Sequence, residues 1–193
     1  MKDRLLMLLF VLVCGTVLTA ALVAVDAYTA PMIARNEELK LKRSVLAALH
    51  IPFEEATIER TFADNVTVGN AGGTPFYRNA EGIVAFAFTG SGLWGPVRGT
   101  LALTPDLGKV SDLTIIHQEE TPGLGSRIAE RSHLDRFRGR SILPALASVA
   151  AGKAAADSDV DAITGATLSS NALVGILNAN LAARLPELKE ATR

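Results

Sequence analysis

The chain has 193 residues, 49% of them hydrophobic and 20% charged, with a net charge of −1 at pH 7. That length suits one domain plus a membrane segment, and so small a net charge offers no field for binding nucleic acid. A single cysteine, Cys14, excludes an intrachain disulfide, a multi-cysteine metal site and an iron–sulfur cluster.

Residues 5–25 carry no charged side chain. As a helix rising about 1.5 Å per residue, this run reaches about 31 Å, the thickness of a bilayer's hydrocarbon core. Lys2 and Arg4 precede it as they would in a signal peptide, but the run is longer than an ordinary signal core and no clean Ala-x-Ala site closes it. A retained anchor over residues 5–27 is expected. Basic residues lie on both sides, with Arg35, Lys40, Lys42 and Arg43 following the run, so charge alone leaves its orientation open.

Residues 36–50 read as a second helix, with Glu37 and Glu38 in its first turn and Leu39, Leu46 and Leu49 among its apolar positions. It is expected to end ahead of Pro52, and Pro31 permits a break from the first helix. Residues 53–75 are polar and irregular around a Gly72-Gly73 turn, and no element is assigned to them.

Three strands follow. Residues 83–89 alternate Val84, Phe86 and Phe88 against Ile83, Ala85 and Ala87, and residues 97–104 set Val97, Leu101 and Leu103 against Arg98, Thr100 and Thr104. Pro105-Asp106-Leu107-Gly108 then turns the chain into residues 110–117. Short links imply an antiparallel meander, and helices before and after it make the domain α+β.

Two loops leave this sheet. In Gly90-Ser91-Gly92-Leu93-Trp94-Gly95 the only tryptophan sits among glycines, either folded over the core or where backbone approaches a bound ring. In Glu119-Glu120-Thr121-Pro122-Gly123-Leu124-Gly125 the Gly and Pro content demands an ordered turn. His117, Glu119 and Glu120 read as a strand-end histidine with solvated carboxylates, because no second His or Cys is placed to complete a metal site.

Residues 134–140 are basic and read as a solvated helix end facing lipid headgroups or a partner. Residues 145–156 are small and flexible, a connector. The string Asp-x-x-Thr-Gly-Ala-Thr-x-Ser-Ser then occupies residues 161–170. A Gly-Ala turn delivers Thr167 to the start of a run with Leu173, Ile176, Leu177, Leu181 and Leu185 at helical spacing, so Thr167 is expected to cap that helix. The free amides of Leu168, Ser169 and Ser170 at such a terminus favour a phosphate. After Pro186 the charged tail is expected to fray.

The string at residues 161–170 resembles the flavinylation motif of the FMN-binding domain in the G subunit of the Rnf electron-transport complex and the C subunit of the Na+-translocating NADH:quinone reductase. The Glu-Thr-Pro-Gly-Leu-Gly segment at residues 120–125 is similar to the family's flavin-closing loop, and Gly-Leu-Trp at 92–94 to the quinone-reductase branch. Thr164 stands where serine is commoner.

The resemblance implies an α+β FMN-binding domain behind a single membrane helix, with residues 1–4 cytoplasmic and residues 28–193 on the outer face of a bacterial inner membrane. It implies FMN esterified through its phosphate to Thr167, where a separate flavin transferase installs it. The threonine oxygen attacks the FMN-side phosphorus of FAD and AMP leaves, a divalent metal in the transferase offsetting the charge. Cofactor-binding roles are implied for Asp161, Thr164, Gly165, Ala166, Ser169 and Ser170 in the motif, and for Leu93, Trp94, Glu120, Thr121, Gly123, Leu124 and Gly125 in the loops.

The implied partners are the other membrane proteins of an Rnf- or Nqr-type ion-translocating complex. No residue is assigned as catalytic or as a metal ligand. On the residues alone a free-standing FMN-domain carrier and a non-redox anchored binding module stay open. No Gly-x-Gly-x-x-Gly follows a strand, so no dinucleotide site is expected.

Overall fold

The computed structural model describes residues 2–192. The chain divides into two compact units, Met1–Leu39 and Lys40–Arg193. Helix α1 (Lys2–Ala48) supplies the first unit and enters the second. It is long and apolar enough to cross a membrane, and its apolar side chains, Leu8 and Phe10 among them, are exposed. Pro31 does not break it. A proline leaves the carbonyl four residues back, here that of Ala27, without its helical donor, and both residues lie on the surface of the helix rather than packed in the domain core.

In the second unit α1 buries Ser44, Val45, Leu46 and Ala48 and stops at His50, whose φ of 59° is left-handed. The Ile51 amide reaches back to the Leu46 carbonyl at 2.9 Å, closing the helix before Pro52 is reached.

Residues 53–75, to which the sequence assigns no element, hold α2 (Ile58–Asn65), β1 (Thr67–Ala71) and the start of β2 (Thr74–Arg78). Gly72 and Gly73 both have positive φ, 57° and 83°, and join β1 to β2 in a two-residue hairpin. These elements are illegible in the sequence because α2 buries only Ile58 and β1 only Ala71, so neither shows an apolar period.

β3 (Val84–Ser91), β4 (Pro96–Leu103) and β5 (Val110–His117) complete an antiparallel sheet in the order β1-β2-β3-β4-β5. The three expected strands are its centre and one edge. Helix α4 (Thr167–Ala191) covers one face, packing Leu173, Leu177 and Leu181 into the cluster that holds Phe86, Phe88, Leu101 and Leu113. Thr100, which alternation assigns to a polar face, is fully buried instead. The Ser44 hydroxyl donates to it at 2.8 Å, so the end of α1 covers that side.

Residues 145–156 are not a plain connector: β6 (Ala147–Val149) pairs in parallel with β7 (Asp159–Asp161). The basic stretch after α3 (Arg131–Leu134) is not merely a solvated end either. Arg136 donates to the Asp161 carbonyl at 3.2 Å, Arg138 to the Asp112 carboxylate at 2.7 Å, and Arg140 to the Ala156 carbonyl at 3.4 Å. Nor does the tail fray at Pro186, for α4 runs on to Ala191 and buries Leu188 to 2% exposure. Pro186 and Ala182 lie on the exposed side, where water can take the released carbonyl.

Candidate functional site

Three segments meet at one end of the sheet: the tip of the β3–β4 hairpin, the chain after β5 and the first turn of α4. Between them lies an open cleft of about 470 Å³, within the range of small-cofactor sites. Leu93 and Trp94 line it from the hairpin, Thr121, Leu124 and Gly125 from the second segment, and Gly165, Ala166, Thr167, Leu168 and Ser169 from α4 and its approach.

Gly165, at φ 83°, makes the turn into α4, and Ala166 rather than Thr167 occupies the cap position, with no side-chain cap bond. Thr167 is the first helical residue. The expectation of a threonine cap is therefore corrected: Ser170 steadies the turn, its hydroxyl accepting from the Ile163 amide at 3.1 Å and donating to the Ala166 carbonyl at 3.0 Å. With the stapling done by Ser170, the Thr167 hydroxyl is exposed and has no hydrogen-bond partner among the described residues. The Ser170 amide, expected to be free, is taken by the Ala166 carbonyl at 3.0 Å. The amides of Leu168 and Ser169 have no carbonyl one turn back to satisfy them, and the positive end of the helix dipole lies beside the Thr167 oxygen.

Glu120 is not a solvated carboxylate. It is 4% exposed. Oε1 accepts the backbone amides of Leu93 at 2.7 Å and Trp94 at 3.2 Å, while Oε2 accepts the Ser169 hydroxyl at 2.7 Å. Glu119 is the solvated member, paired with His117 at 3.1 Å.

Room for the buried carboxylate comes from glycine. A Cβ on Gly92 would stand 2.5 Å from Glu120 Oε1, and one on Gly125 2.6 Å from Ser169 Oγ and 2.8 Å from Glu120 Oε2. These two glycines thus admit the protein's own carboxylate, where the sequence suggests the approach of a bound ring. Gly123 does need its left-handed φ of 72°, and its amide donates to Ser126 Oγ at 3.0 Å.

Several residues named from the sequence lie outside the cleft lining. Thr164 is exposed on the turn before it, Ser170 is buried beneath it, and Gly123 is on the outside of its loop. Asp161 turns to the β6–β7 link, where Oδ1 accepts the amides of Lys153 at 2.9 Å and Ala154 at 3.0 Å. Those amides, Ala154's first, hold its carboxyl below the usual range.

Leu168, 65% exposed, lines the cleft with its side chain, whereas the sequence suggests a role only for its amide. Its signal is present: it falls off the helical face marked by Leu173 and Leu177, an apolar side chain with no core to enter. With Leu93, Leu124 and the 72%-exposed Trp94 it gives the cleft an apolar surface beside a bare hydroxyl and free amides. That donor set suits a planar apolar ring carrying a phosphate.

Residues 92–182 match the FMN-binding domain family. The chain is 38% identical over 93 residues to the C subunit of a Na(+)-translocating NADH-quinone reductase from Pasteurella multocida, covering 46% of this chain and 36% of that one. It is 31% identical over 123 residues to the protein of the same name from Vibrio vulnificus, covering 60% and 48%. The matched stretches thus span less than half of either relative.

In fold it is similar to the crystal structure of Shewanella oneidensis NqrC, with a TM-score of 0.62 at 16% identity, covering 72% of this chain and 88% of that one. The C subunit of the Na(+)-translocating NADH-quinone reductase from Parabacteroides distasonis gives 0.63 at 24%, covering 78% and 92%. Residues 92–182, the stretch that matches the FMN-binding domain family, carry both the hairpin tip and the first turn of α4.

Proposed function

We propose that this protein is a membrane-anchored flavoprotein that carries FMN as a phosphoester on Thr167 and relays electrons as one subunit of an ion-translocating oxidoreductase of the Nqr or Rnf type. One observation carries the reading. The Thr167 hydroxyl is exposed and unpartnered at the start of α4, on the wall of a cleft whose other walls are the two glycine-bearing loops.

The product of esterification is a phosphodiester with one negative charge, for which a helix N-terminus is a suitable seat. Leu93, Trp94, Leu124 and Leu168 supply apolar surface for the isoalloxazine ring. The flavin brings the redox chemistry, and the chain's residues hold and orient it.

Helix α1 is the anchor in this reading, with residues 28–193 on the outer face of a bacterial inner membrane. Covalent attachment there keeps the cofactor from being lost, and the anchor holds it near donor and acceptor at high effective concentration. A flavin transferase using FAD as donor installs the group, and the partners are other membrane proteins of the complex.

Denatured protein from its native host is expected to fluoresce under ultraviolet light on a gel, and Thr167→Ala to be dark while still folded. Mass spectrometry should add about 438 Da, FMN less water, to the peptide containing Thr167. A fluorescent Thr167→Ala band sinks the assignment. Assembly is a separate question, answered by whether multi-helix membrane proteins co-purify from native membranes.

A further inference from the structure

We infer that Glu120 is a positioning residue that assembles the cleft in the flavin-free chain, by holding the β3–β4 hairpin tip onto the first turn of α4. The naming of the cleft as a flavin site rests on the function proposed above, but the brace itself does not.

The hairpin tip has little else to hold it. Strand pairing ends at Ser91↔Pro96, and the Gly92 amide closes the turn onto the Gly95 carbonyl at 2.8 Å. Leu93 and Trp94 are 46% and 72% exposed, so burial of their side chains does not decide where the tip lies. Flanked by glycines on both sides, the segment has more backbone freedom than any other kind of residue would leave it. The Leu93 and Trp94 amides are pinned by one carboxylate oxygen, and the other oxygen is pinned by Ser169.

A buried carboxylate is costly, and this one has no cation in contact among the described residues. Two features offset that cost. Each of its three bonds is charge-assisted, and Ser169 lies in the first turn of α4, where the helix dipole favours negative charge. An apolar side chain would fill the space more cheaply but could not order two amides at a glycine-rich tip. The same carboxylate explains why Gly92 and Gly125 bear no side chain, since a Cβ on either would strike it. Leu93 and Trp94 are thereby presented to the cleft opposite Thr167, in the same fold that leaves the Thr167 oxygen bare.

Amide hydrogen exchange on full-length protein, produced in a host without a flavin transferase, tests this. Glu120→Ala is expected to raise exchange at the Leu93 and Trp94 amides about tenfold or more, while the β3–β4 ladder at Phe86 and Leu101 keeps its protection. Glu120→Gln should stay within about threefold of wild type, because its amide oxygen still accepts both N–H groups and its NH2 can donate to Ser169.

Unchanged exchange in Glu120→Ala, or loss in Glu120→Gln as large as in Glu120→Ala, overturns the proposal. If Glu120→Ala also loses the ladder, Ser169→Ala decides. Freeing Oε2 should raise exchange at Leu93 and Trp94 by about threefold or more, and no change overturns it. Because the measurement is made without flavin, its result is independent of whether Thr167 proves to be the attachment point.

Discussion

Arg138 reaches back along the chain to place Nη2 2.7 Å from Oδ2 of Asp112, a carboxylate whose side chain is only 1% exposed. Arg131 takes the other oxygen at 2.5 Å, and the Leu113 amide donates to that oxygen at 2.7 Å. Burial alone would push the Asp112 carboxyl up, but hydrogen bonds from Arg138, then Arg131, then the Leu113 amide outweigh it and hold the group below the usual carboxylate range. The site ties β5 to the segment carrying α3.

Asp112→Asn is expected to lose about 2–3 kcal/mol at pH 7, at or below the bottom of the range for breaking a buried ion pair, because both guanidinium groups remain 43–44% exposed and solvent screens them. With its folded pKa depressed, Asp112 contributes stability that is present above its unfolded pKa of about 3.9 and is lost as pH falls through the folded value. Urea unfolding of both proteins from pH 7 to pH 3 should show the difference shrinking only below about pH 4.

His133 titrates in a separate window. It is 2% exposed, packs edge-on against Phe137 with ring centroids 5.4 Å apart, and neither ring nitrogen has a hydrogen-bond partner among the described residues. Burial first, then Arg136 and Arg127, push its pKa down to about 4. The unfolded chain, with a pKa of about 6.5, binds the proton that the fold excludes, so this group costs the fold about 2 kcal/mol by pH 5 relative to pH 7.5. His133→Leu should lack that loss, and its stability at pH 7.5 should equal or exceed wild type. A steeper acid decline in the variant would contradict this account.

The hydroxyls of the motif differ in exposure and role, and so in their response to substitution. Thr167→Ser keeps an exposed hydroxyl on the first helical residue and is expected to keep in-gel flavin fluorescence. Thr164→Ala, on the exposed turn before the cleft, should also remain fluorescent. Fluorescence per mole of protein from each band is the measurement.

Gly125→Ala places a methyl 2.6 Å from Ser169 Oγ and 2.8 Å from Glu120 Oε2. Neither atom is a free chain end, since each is the other's partner in a buried hydrogen bond. A loss of about 1–3 kcal/mol is expected, together with lower flavin occupancy, read by thermal unfolding and by the flavin-to-protein absorbance ratio. Gly123→Ala meets no neighbour and is strained only by its left-handed φ, so its cost should be smaller.

Leu188 lies beyond Pro186, in the last turns of α4, and is 2% exposed. Leu188→Ala should cost about 2–4 kcal/mol by denaturant unfolding, the penalty of a core cavity. A surface-like value below about 0.5 kcal/mol would mean that the helix ends at the proline after all.

What can be read in the chain follows from local pattern. Residues 5–25 announce their helix by lacking charge, and alternation at Val84, Phe86 and Phe88 marks a strand of the sheet. The run from Leu173 to Leu181 marks α4, and the two glycine-bearing strings and the threonine motif mark three walls of the cleft. Elements with one buried residue apiece, such as α2 and β1, leave no such pattern.

Pro31 and Pro186 signal breaks that the helices absorb, for α1 and α4 both run through them, and at Pro186 the released carbonyl lies on an exposed face of the domain. Glu120 and Glu119 are adjacent and chemically identical, yet one is buried and the other solvated. Only the packing of the hairpin tip on α4 separates them. By itself, then, the amino-acid order determined which segments could carry apolar surface and which residue could offer a hydroxyl. Tertiary structure alone decided which carboxylate would be drawn inside and that the oxygen at 167 would border a cleft, since Glu120 takes its partners from Leu93, Trp94 and Ser169 and the other cleft walls are loops far from Thr167 in sequence.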